Sequence, residues 1–342
     1  MAPSLLHPPS QLSPAAALQL SQQAPSVLQN SPSTINSSPL AALLPSSETP
    51  DLWIKYENLL LSCLRTGDDH AAHQCLERLV ARFGNENVRV MALKGLVKEA
   101  DSQNNGDLEK VLKEYDQILS DNNTNIPITK RRIALLRSMG RLSDAASSLV
   151  HLLGFSPTDA EAWSELADIY LVQGMYQQAI YAMEEVLVLA PNAWNAHSSF
   201  ANTPCDDQVH ARLGEMQYMA ATAPGAASGT YEKSMVEALK RFSRSIELCD
   251  DYLRGYYGLK LVTKKLLKDA AKPAKDSEEI DFSLPDSKTI ERLNELATVK
   301  LSEIIRRNTA QERGWRGYDK LEVAAARELL AEEASAAASI ER

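Results

Sequence analysis

Apolar residues recur at helical spacing along most of the chain, beginning near Asp51. In the clearest stretch, Trp163, Leu166 and Tyr170 follow the spacing i, i+3, i+7, which places them on one face of a helix. Alternation of apolar and polar residues, which is typical of strands, is scarce. We therefore predict an all-α fold, and we expect Trp163 and Tyr170 to be large core residues whose loss would cost several kcal/mol, of order 3–5.

The helical pattern repeats with a period of 34 residues. Three pairs of turn-forming or small residues keep this spacing: Gly140 and Gly174, Ala145 and Ala179, Pro157 and Pro191. A fixed period of this length is typical of stacked helix hairpins, because one hairpin cannot bury its apolar stripe alone. The sequence therefore predicts an α-solenoid of stacked antiparallel helix pairs.

The unit from Ala160 to Ala193 resembles the tetratricopeptide repeat. The residues at the positions that define that repeat are Trp163, Leu166, Ala167, Tyr170, Gly174, Ala179, Met183, Val186 and Pro191. Its small residues let two helices approach closely, while Gly174 suits a left-handed turn and Pro191 ends the second helix. Met183 and Val186 replace the Phe and Ala of the usual pattern.

Weaker units flank this one, and together they predict a repeat array over residues 50–310. The phase is lost after Trp194, and removing residues 198–210 would restore it, so this segment is either an insertion or a gene-model error. A polar break at 270–285 predicts a linker, and the Ala- and Glu-rich tail at 311–342 is predicted to be partly helical.

The first part of the chain has a different texture. Residues 1–47 contain no Lys, Arg, Asp or Glu and are rich in Ser, Pro and Gln. Proline interrupts helices, and a segment without charge or helical periodicity has little apolar surface to bury in a core. We predict a disordered leader over residues 1–49.

Composition narrows the possible functions. The net charge of −9 disfavours a general nucleic-acid binder, which needs a basic surface. No apolar run reaches the roughly 18–20 residues that would cross a bilayer. The four cysteines form no CxxC pair, which favours a reducing cytosolic compartment.

Candidate chemistry is sparse. No nucleotide-binding, nucleophile-elbow or zinc-protease motif is present, so we predict no catalytic residue, cofactor or metal. His70, His73 and Cys75 form a small cluster that a polar helix start explains more simply than a metal site. The lysines of the Lys260–Lys275 group could face anionic lipid or simply end a solvated helix.

Charge is segregated along the repeats. No Lys or Arg lies between Arg141 and Arg212, and a basic block lies just upstream. Stripes of opposite sign orient a partner more than they tighten its binding, although they could also be ordinary solvated faces. The candidate partner-binding residues are Lys130, Arg137, Glu161, Glu165 and Asp168.

The sequence from Ser156 to Tyr170, SPTDAEAWSELADIY, continues through Tyr176–Ala179 to Ala190–Pro191. With these residues, positions 50–310 resemble the subunit 2 family of the endoplasmic reticulum (ER) membrane protein complex, in a fungal-type version. The resemblance implies a non-catalytic cytosolic scaffold without a membrane span. It would attach peripherally to the ER membrane through membrane-embedded subunits and a second cytosolic subunit, in an assembly that inserts tail-anchored and multi-pass proteins.

Two alternatives belong to other classes. A soluble tetratricopeptide adaptor or co-chaperone would grip acidic peptide tails, but Glu161, Glu165 and Asp168 would repel a carboxylate. An enzyme built on helical repeats would need a convergent acid, base or nucleophile set, which we do not find.

Overall fold

The computed structural model describes residues 4–8, 12–29, 49–189, 206–225, 228–270, 284–310, 312 and 318–340, and every regular element in these ranges is an α-helix. The helices are α1 (Pro14–Ser21), α2 (Ala24–Gln29), α3 (Pro50–Thr66), α4 (Asp69–Phe83), α5 (Val88–Asp101), α6 (Asn105–Asp121), α7 (Ile126–Ser138), α8 (Leu142–Phe155), α9 (Ala160–Val172), α10 (Tyr176–Leu189), α11 (Asp206–Thr222), α12 (Ser228–Leu248), α13 (Leu253–Ala270), α14 (Ser287–Ala310) and α15 (Lys320–Ile340). The prediction of an all-α repeat fold is confirmed. The chain forms two compact units, Met1–Pro157 and Thr158–Arg342.

Helix hairpins are closed by one recurring turn. After α3, α7 and α9, the chain reverses at a glycine with φ of 75°, 76° and 73°, a left-handed conformation that other residues adopt at a cost. The amide that follows each glycine donates to a carbonyl five residues back: Asp68 N to Cys63 O at 3.0 Å, Arg141 N to Leu136 O at 2.9 Å, and Met175 N to Tyr170 O at 2.9 Å. This bond satisfies an otherwise unpaired carbonyl at the end of the first helix.

The 34-residue period appears directly in the helix bounds. The pair α9 and α10 starts and ends 34 positions after α7 and α8. Ala145 and Ala179, the small residues of the two second helices, are both fully buried. Pro157 follows α8, whereas Pro191 lies outside the described residues.

Burial within α9 differs from the expectation for its aromatic residues. Leu166 and Ala167 are buried, but Trp163 and Tyr170 are only partly so. The Trp163 ring meets the edge of Tyr181, itself 58% exposed, at a centroid distance of 6.1 Å. The cost of 3–5 kcal/mol expected for a fully buried aromatic is therefore too large for these two positions.

Part of the segment predicted as a disordered leader is helical. The Ser13 hydroxyl accepts a bond from Ala16 N at 3.2 Å, and Pro14 occupies the first turn of α1, where its missing amide is not needed. Leu5 and Leu20 are buried in one apolar cluster with residues of α3, and Asn58 Nδ2 donates to Leu5 O at 2.7 Å. The difference has two causes. Proline is tolerated at the start of a helix, and the alanine- and leucine-rich stripe of α1 has apolar surface to bury against its neighbours.

Only parts of the other predicted segments lie within the described residues. Residues 206–210 of the predicted insertion belong to α11, and 198–205 lie outside the described residues. Most of the predicted linker, 271–283, and the leader residues 30–48 also lie outside them. Within the predicted tail, Lys320–Ile340 form α15.

Phe242 of α12 is at the centre of the core of the second unit. Its side chain is 1% exposed and packs against two glycines, Gly214 of α11 and Gly258 of α13. A Cβ added at Gly258 would lie 2.0 Å from the Phe242 ring, and one at Gly214 would lie 3.0 Å from it. The two glycines therefore make the space that the ring fills.

Candidate protein-binding surfaces

The basic block predicted from the sequence lies on and after α7, and much of it links helices within the first unit. Arg132 Nε donates to Asp116 Oδ1 at 2.6 Å and its Nη1 donates to Ser148 Oγ at 2.7 Å. Arg137 is exposed and Lys130 is partly exposed, so these two of the predicted surface residues are placed where a partner could reach them.

Arg131 of the same block is part of a network between α5, α6 and α7. Its guanidinium pairs with Glu99, whose side chain is only 13% exposed, and the Tyr115 hydroxyl donates to Glu99 Oε1 at 2.5 Å. Gly95 gives Tyr115 its space, since an added Cβ would lie 2.2 Å from the hydroxyl oxygen. Desolvation, followed by the bond to Glu99, raises the Tyr115 pKa. Sequence spacing gave no sign of this network, because its members are 16 to 32 residues apart.

The acidic side chains of α9 lie in the second unit. Glu161 is exposed, and Glu165 and Asp168 are partly exposed. Asp168 Oδ1 accepts a bond from Arg212 Nη2 at 3.0 Å, so it also joins α9 to α11. The predicted basic and acidic surfaces thus belong to different units, and each is a separate candidate.

An apolar groove of about 260 Å³ lies between α3, α4 and α5 in the first unit. Trp53 and Phe83 meet edge to face at 5.2 Å on its wall, and Phe83 and Ile54 are 41% and 46% exposed. The ion pair between Arg89 and Glu57, at 2.8 Å, lies at its rim. Exposed aromatic and aliphatic side chains in one groove are typical of protein-contact surfaces. The groove has no signature in the sequence, because its walls come from three helices.

The histidine and cysteine cluster lies on α4, and the described lysines of the Lys260–Lys275 group lie on α13. Cys75 is buried, and desolvation raises its thiol pKa to about 12, whereas His73 Nε2 contacts Asp101 Oδ2 at 3.0 Å. In the part of the chain that the structure describes, no three His, Cys, Asp or Glu side chains could hold a metal ion. Lys260 is buried and donates to Thr298 Oγ1 at 2.6 Å, and Lys272 and Lys275 lie outside the described residues. Among the described helices, none combines the length and apolar character needed to cross a bilayer.

We expect His210 to make the stability of the second unit depend on pH. Desolvation, with the positive charges of Arg241 and Arg244, lowers its pKa from the usual 6.5 to about 4. Because the folded state resists protonation, the unfolded state binds more protons between these values, and stability falls as the pH drops from 6.5 towards 4. We expect His210→Gln to flatten this dependence in urea unfolding measured from pH 7.5 to 4.5. His151→Gln, at an exposed residue of α8, is the control and should keep the wild-type slope; an unchanged slope in His210→Gln would contradict the assignment.

The fold defines the class of protein: a tetratricopeptide-type helical repeat protein. A solved structure, the crystal structure of MamA protein, aligns with 67% of this chain and 97% of its own at 16% identity, with a TM-score of 0.43. The assignment to this class rests on the helix hairpins described above and not on this comparison.

Sequence comparisons identify the family. A family model described as the EMC2 TPR-like repeat domain matches residues 84–216. ER membrane protein complex subunit 2-A of Xenopus laevis is 30% identical over 230 residues, which cover 66% of this chain and 68% of the relative. TPR repeat protein oca3 of Schizosaccharomyces pombe is 29% identical over 255 residues, covering 73% and 82%. The chain belongs to the ER membrane protein complex subunit 2 family, as its sequence resemblance indicated.

Proposed function

We propose that this chain is a non-catalytic scaffold subunit of an ER membrane protein complex. It lies on the cytoplasmic side and attaches to the ER membrane through membrane-embedded partner subunits, while it also binds a second cytosolic subunit. The assembly inserts tail-anchored and multi-pass membrane proteins. Family membership is the observation that carries this proposal, because relatives named as subunit 2 of that complex align with about two thirds of the chain.

The contact surfaces in this proposal are the charged side chains predicted from the sequence. In the first unit these are Lys130 and Arg137 on α7, and in the second unit Glu161, Glu165 and Asp168 on α9. Charged residues at the rim of an interface speed encounter and select the partner more than they add affinity. Rigid stacked hairpins suit a scaffold, because they hold such side chains at fixed positions.

A tagged full-length chain tests the assignment. We expect it to co-purify with ER membrane proteins, and we expect high salt or alkali to release it from the membrane while its cytosolic partner subunit stays bound. Quantitative mass spectrometry of the membrane and released fractions measures both. Recovery of soluble chaperones alone would sink the proposal.

Charge reversal locates the surfaces. We expect Arg137→Glu and Glu161→Arg each to slow association with a partner subunit about ten-fold at low salt, with a smaller effect at high salt where charges are screened. Lys113→Glu on α6 and Glu77→Arg on α4 make the same charge changes at other exposed positions and serve as matched controls. Equal association rates for a variant and its control would remove that surface from the proposal.

A further inference from the structure

The last described helix, α15, packs on α13 and α14 through a narrow apolar contact. Among its residues 320–332, the buried side chains are Val323, Ala326 and Leu329, and Leu321 at its start is 79% exposed. These three residues, spaced i, i+3, i+6, form one narrow stripe with the partly buried Leu330, and a single methyl group lies at its centre. Over residues 320–332, such a stripe buries little apolar surface.

Polar links to both neighbours complete the docking of α15, and among them Arg327 Nη2 donates to Thr309 Oγ1 of α14. Arg254 Nε of α13 donates to Glu322 Oε1 at 2.7 Å, and Lys264 Nζ of α13 donates to Glu332 Oε2 at 3.4 Å. These side chains are 27–64% exposed, so water and salt reach them. An exposed ion pair of this kind changes an equilibrium by no more than about two- to five-fold.

Tyr318 fixes the start of this segment. Its hydroxyl donates to Asp251 O and accepts a bond from Leu253 N at 3.2 Å, which satisfies a backbone amide at the start of α13. Desolvation raises the pKa of this phenol to about 12, so the hydroxyl keeps its proton at neutral pH. These two bonds hold residue 318, which lies two residues before α15, at the start of α13.

The surface beneath α15 is complementary to an acidic amphipathic helix. Arg254, Tyr257 and Lys264 share one face of α13, because they are separated by three and seven residues. Tyr257 is partly buried against the core of the second unit, and the nearby Glu328 and Glu332 contribute to raising its pKa after desolvation. On α13, the Tyr257 ring lies between the cations Arg254 and Lys264. On α15, the apolar stripe lies between the acidic Glu322 and Glu332, so the order of charged and apolar residues is the same on both helices.

We propose that α15 is a reversible strap that opens and closes over a helix-binding groove formed by α13 and α14. In the closed state the groove holds α15. In the open state Tyr318 retains the segment, while Tyr257, Arg254 and Lys264 become available to a helix of the same chemistry, with acidic residues flanking a thin apolar stripe. This inference does not depend on the identity of the complex.

Hydrogen exchange on the full-length chain measures the opening. We expect amides of residues 320–332 to exchange at least about ten-fold faster than those of α14, since a locally opening helix exchanges without global unfolding. Raising NaCl from about 0.05 M to about 0.5 M should increase exchange in α15 several-fold and leave α14 unchanged. Protection of α15 equal to that of α14 at both salt concentrations would overturn the proposal.

A charge swap tests the links. Glu322→Arg should speed exchange in α15 about five-fold or more, and adding Arg254→Glu to it should restore the wild-type rate to within about two-fold. Glu295→Arg, at an exposed residue of α14 outside these links, makes the same charge change and is the matched control. Failure of the second change to restore protection would show that docking does not depend on this pair.

A labelled peptide of residues 318–332 tests the groove itself. We expect the peptide to bind the full-length Glu322→Arg chain, whose groove is open more of the time, about five-fold more tightly than the wild-type chain. It should lose this gain when Arg254→Glu is added, because the peptide carries Glu322. If hydrogen exchange shows that α15 is open in the Glu322→Arg chain and the peptide does not bind this chain, the proposed groove is wrong.

Discussion

Replacing Gly258 with alanine should destabilise the second unit by about 3 kcal/mol, at the upper end of the usual cost of overpacking. The new methyl group would lie 2.0 Å and 2.1 Å from two carbons of the Phe242 ring. The ring cannot move away, because it is 1% exposed and Gly214 already lies against it. Urea unfolding monitored by hydrogen exchange in α12 and α13 measures the change.

Two further variants separate this steric effect from a general effect of alanine. Gly154→Ala on α8 adds a methyl group with no atom within 4 Å, so it should be neutral or stabilise by up to about 1 kcal/mol. Phe242→Leu introduced together with Gly258→Ala should recover part of the loss, because a smaller side chain makes room for the methyl group. Wild-type stability of the Gly258→Ala chain would show that the two helices are not this close.

Glu99→Leu should destabilise the first unit by about 2–3 kcal/mol. The substitution removes the acceptor of both Arg131 and Tyr115 from a site where Glu99 is 13% and Arg131 is 27% exposed. Hydrogen bonds to charged groups contribute roughly 1.5–3 kcal/mol, and partners left without an acceptor in a poorly hydrated site add their own cost. Chemical unfolding monitored by exchange in α5, α6 and α7 measures the loss.

A neighbouring ion pair supplies the control for Glu99. Lys98 and Glu114 also join α5 to α6, but they are 40% and 52% exposed, so Glu114→Leu should cost less than about 1 kcal/mol. In a double-mutant cycle, Tyr115→Phe should cost less in the Glu99→Leu background than in the wild type. Equal costs for Glu99→Leu and Glu114→Leu would show that the buried network adds no special stability.

Helix hairpins and their period were predictable because local geometry determines them. Glycines such as Gly140 and Gly174 end a first helix with a left-handed residue, and alanines at a fixed distance mark the second helix. These features are set by residues close in sequence, and each is repeated. The all-α repeat fold could therefore be predicted from sequence alone.

Contacts between hairpins could not be predicted in the same way. The pairing of Asp168 with Arg212 spans 44 residues, and Phe242 meets a glycine on each neighbouring helix. A periodic pattern shows that a residue is buried, but not which residue of another hairpin it meets. For this reason the predicted surface included Asp168 without its partner, and the predicted lysine group included the buried Lys260.

Composition misled the interpretation of the first residues. The absence of charge and the many prolines predicted disorder, but Leu5 and Leu20 are buried in the cluster that contains α3. A short uncharged helix can be stable when a neighbouring helix covers its apolar stripe, since packing contributes more than propensity.

Two carboxylates of the α9 and α10 hairpin, Asp168 and Glu184, take their cations from later parts of the chain. Arg212 pairs with Asp168, and Arg241 Nη2 donates to Glu184 Oε1 at 2.7 Å. Residues 142–211 contain no Lys or Arg of their own. During synthesis, Asp168 and Glu184 therefore leave the ribosome before these two arginines do, and they form the two ion pairs only after α11 and α12 have emerged. The order of translation thus determines when this hairpin reaches its final electrostatic state.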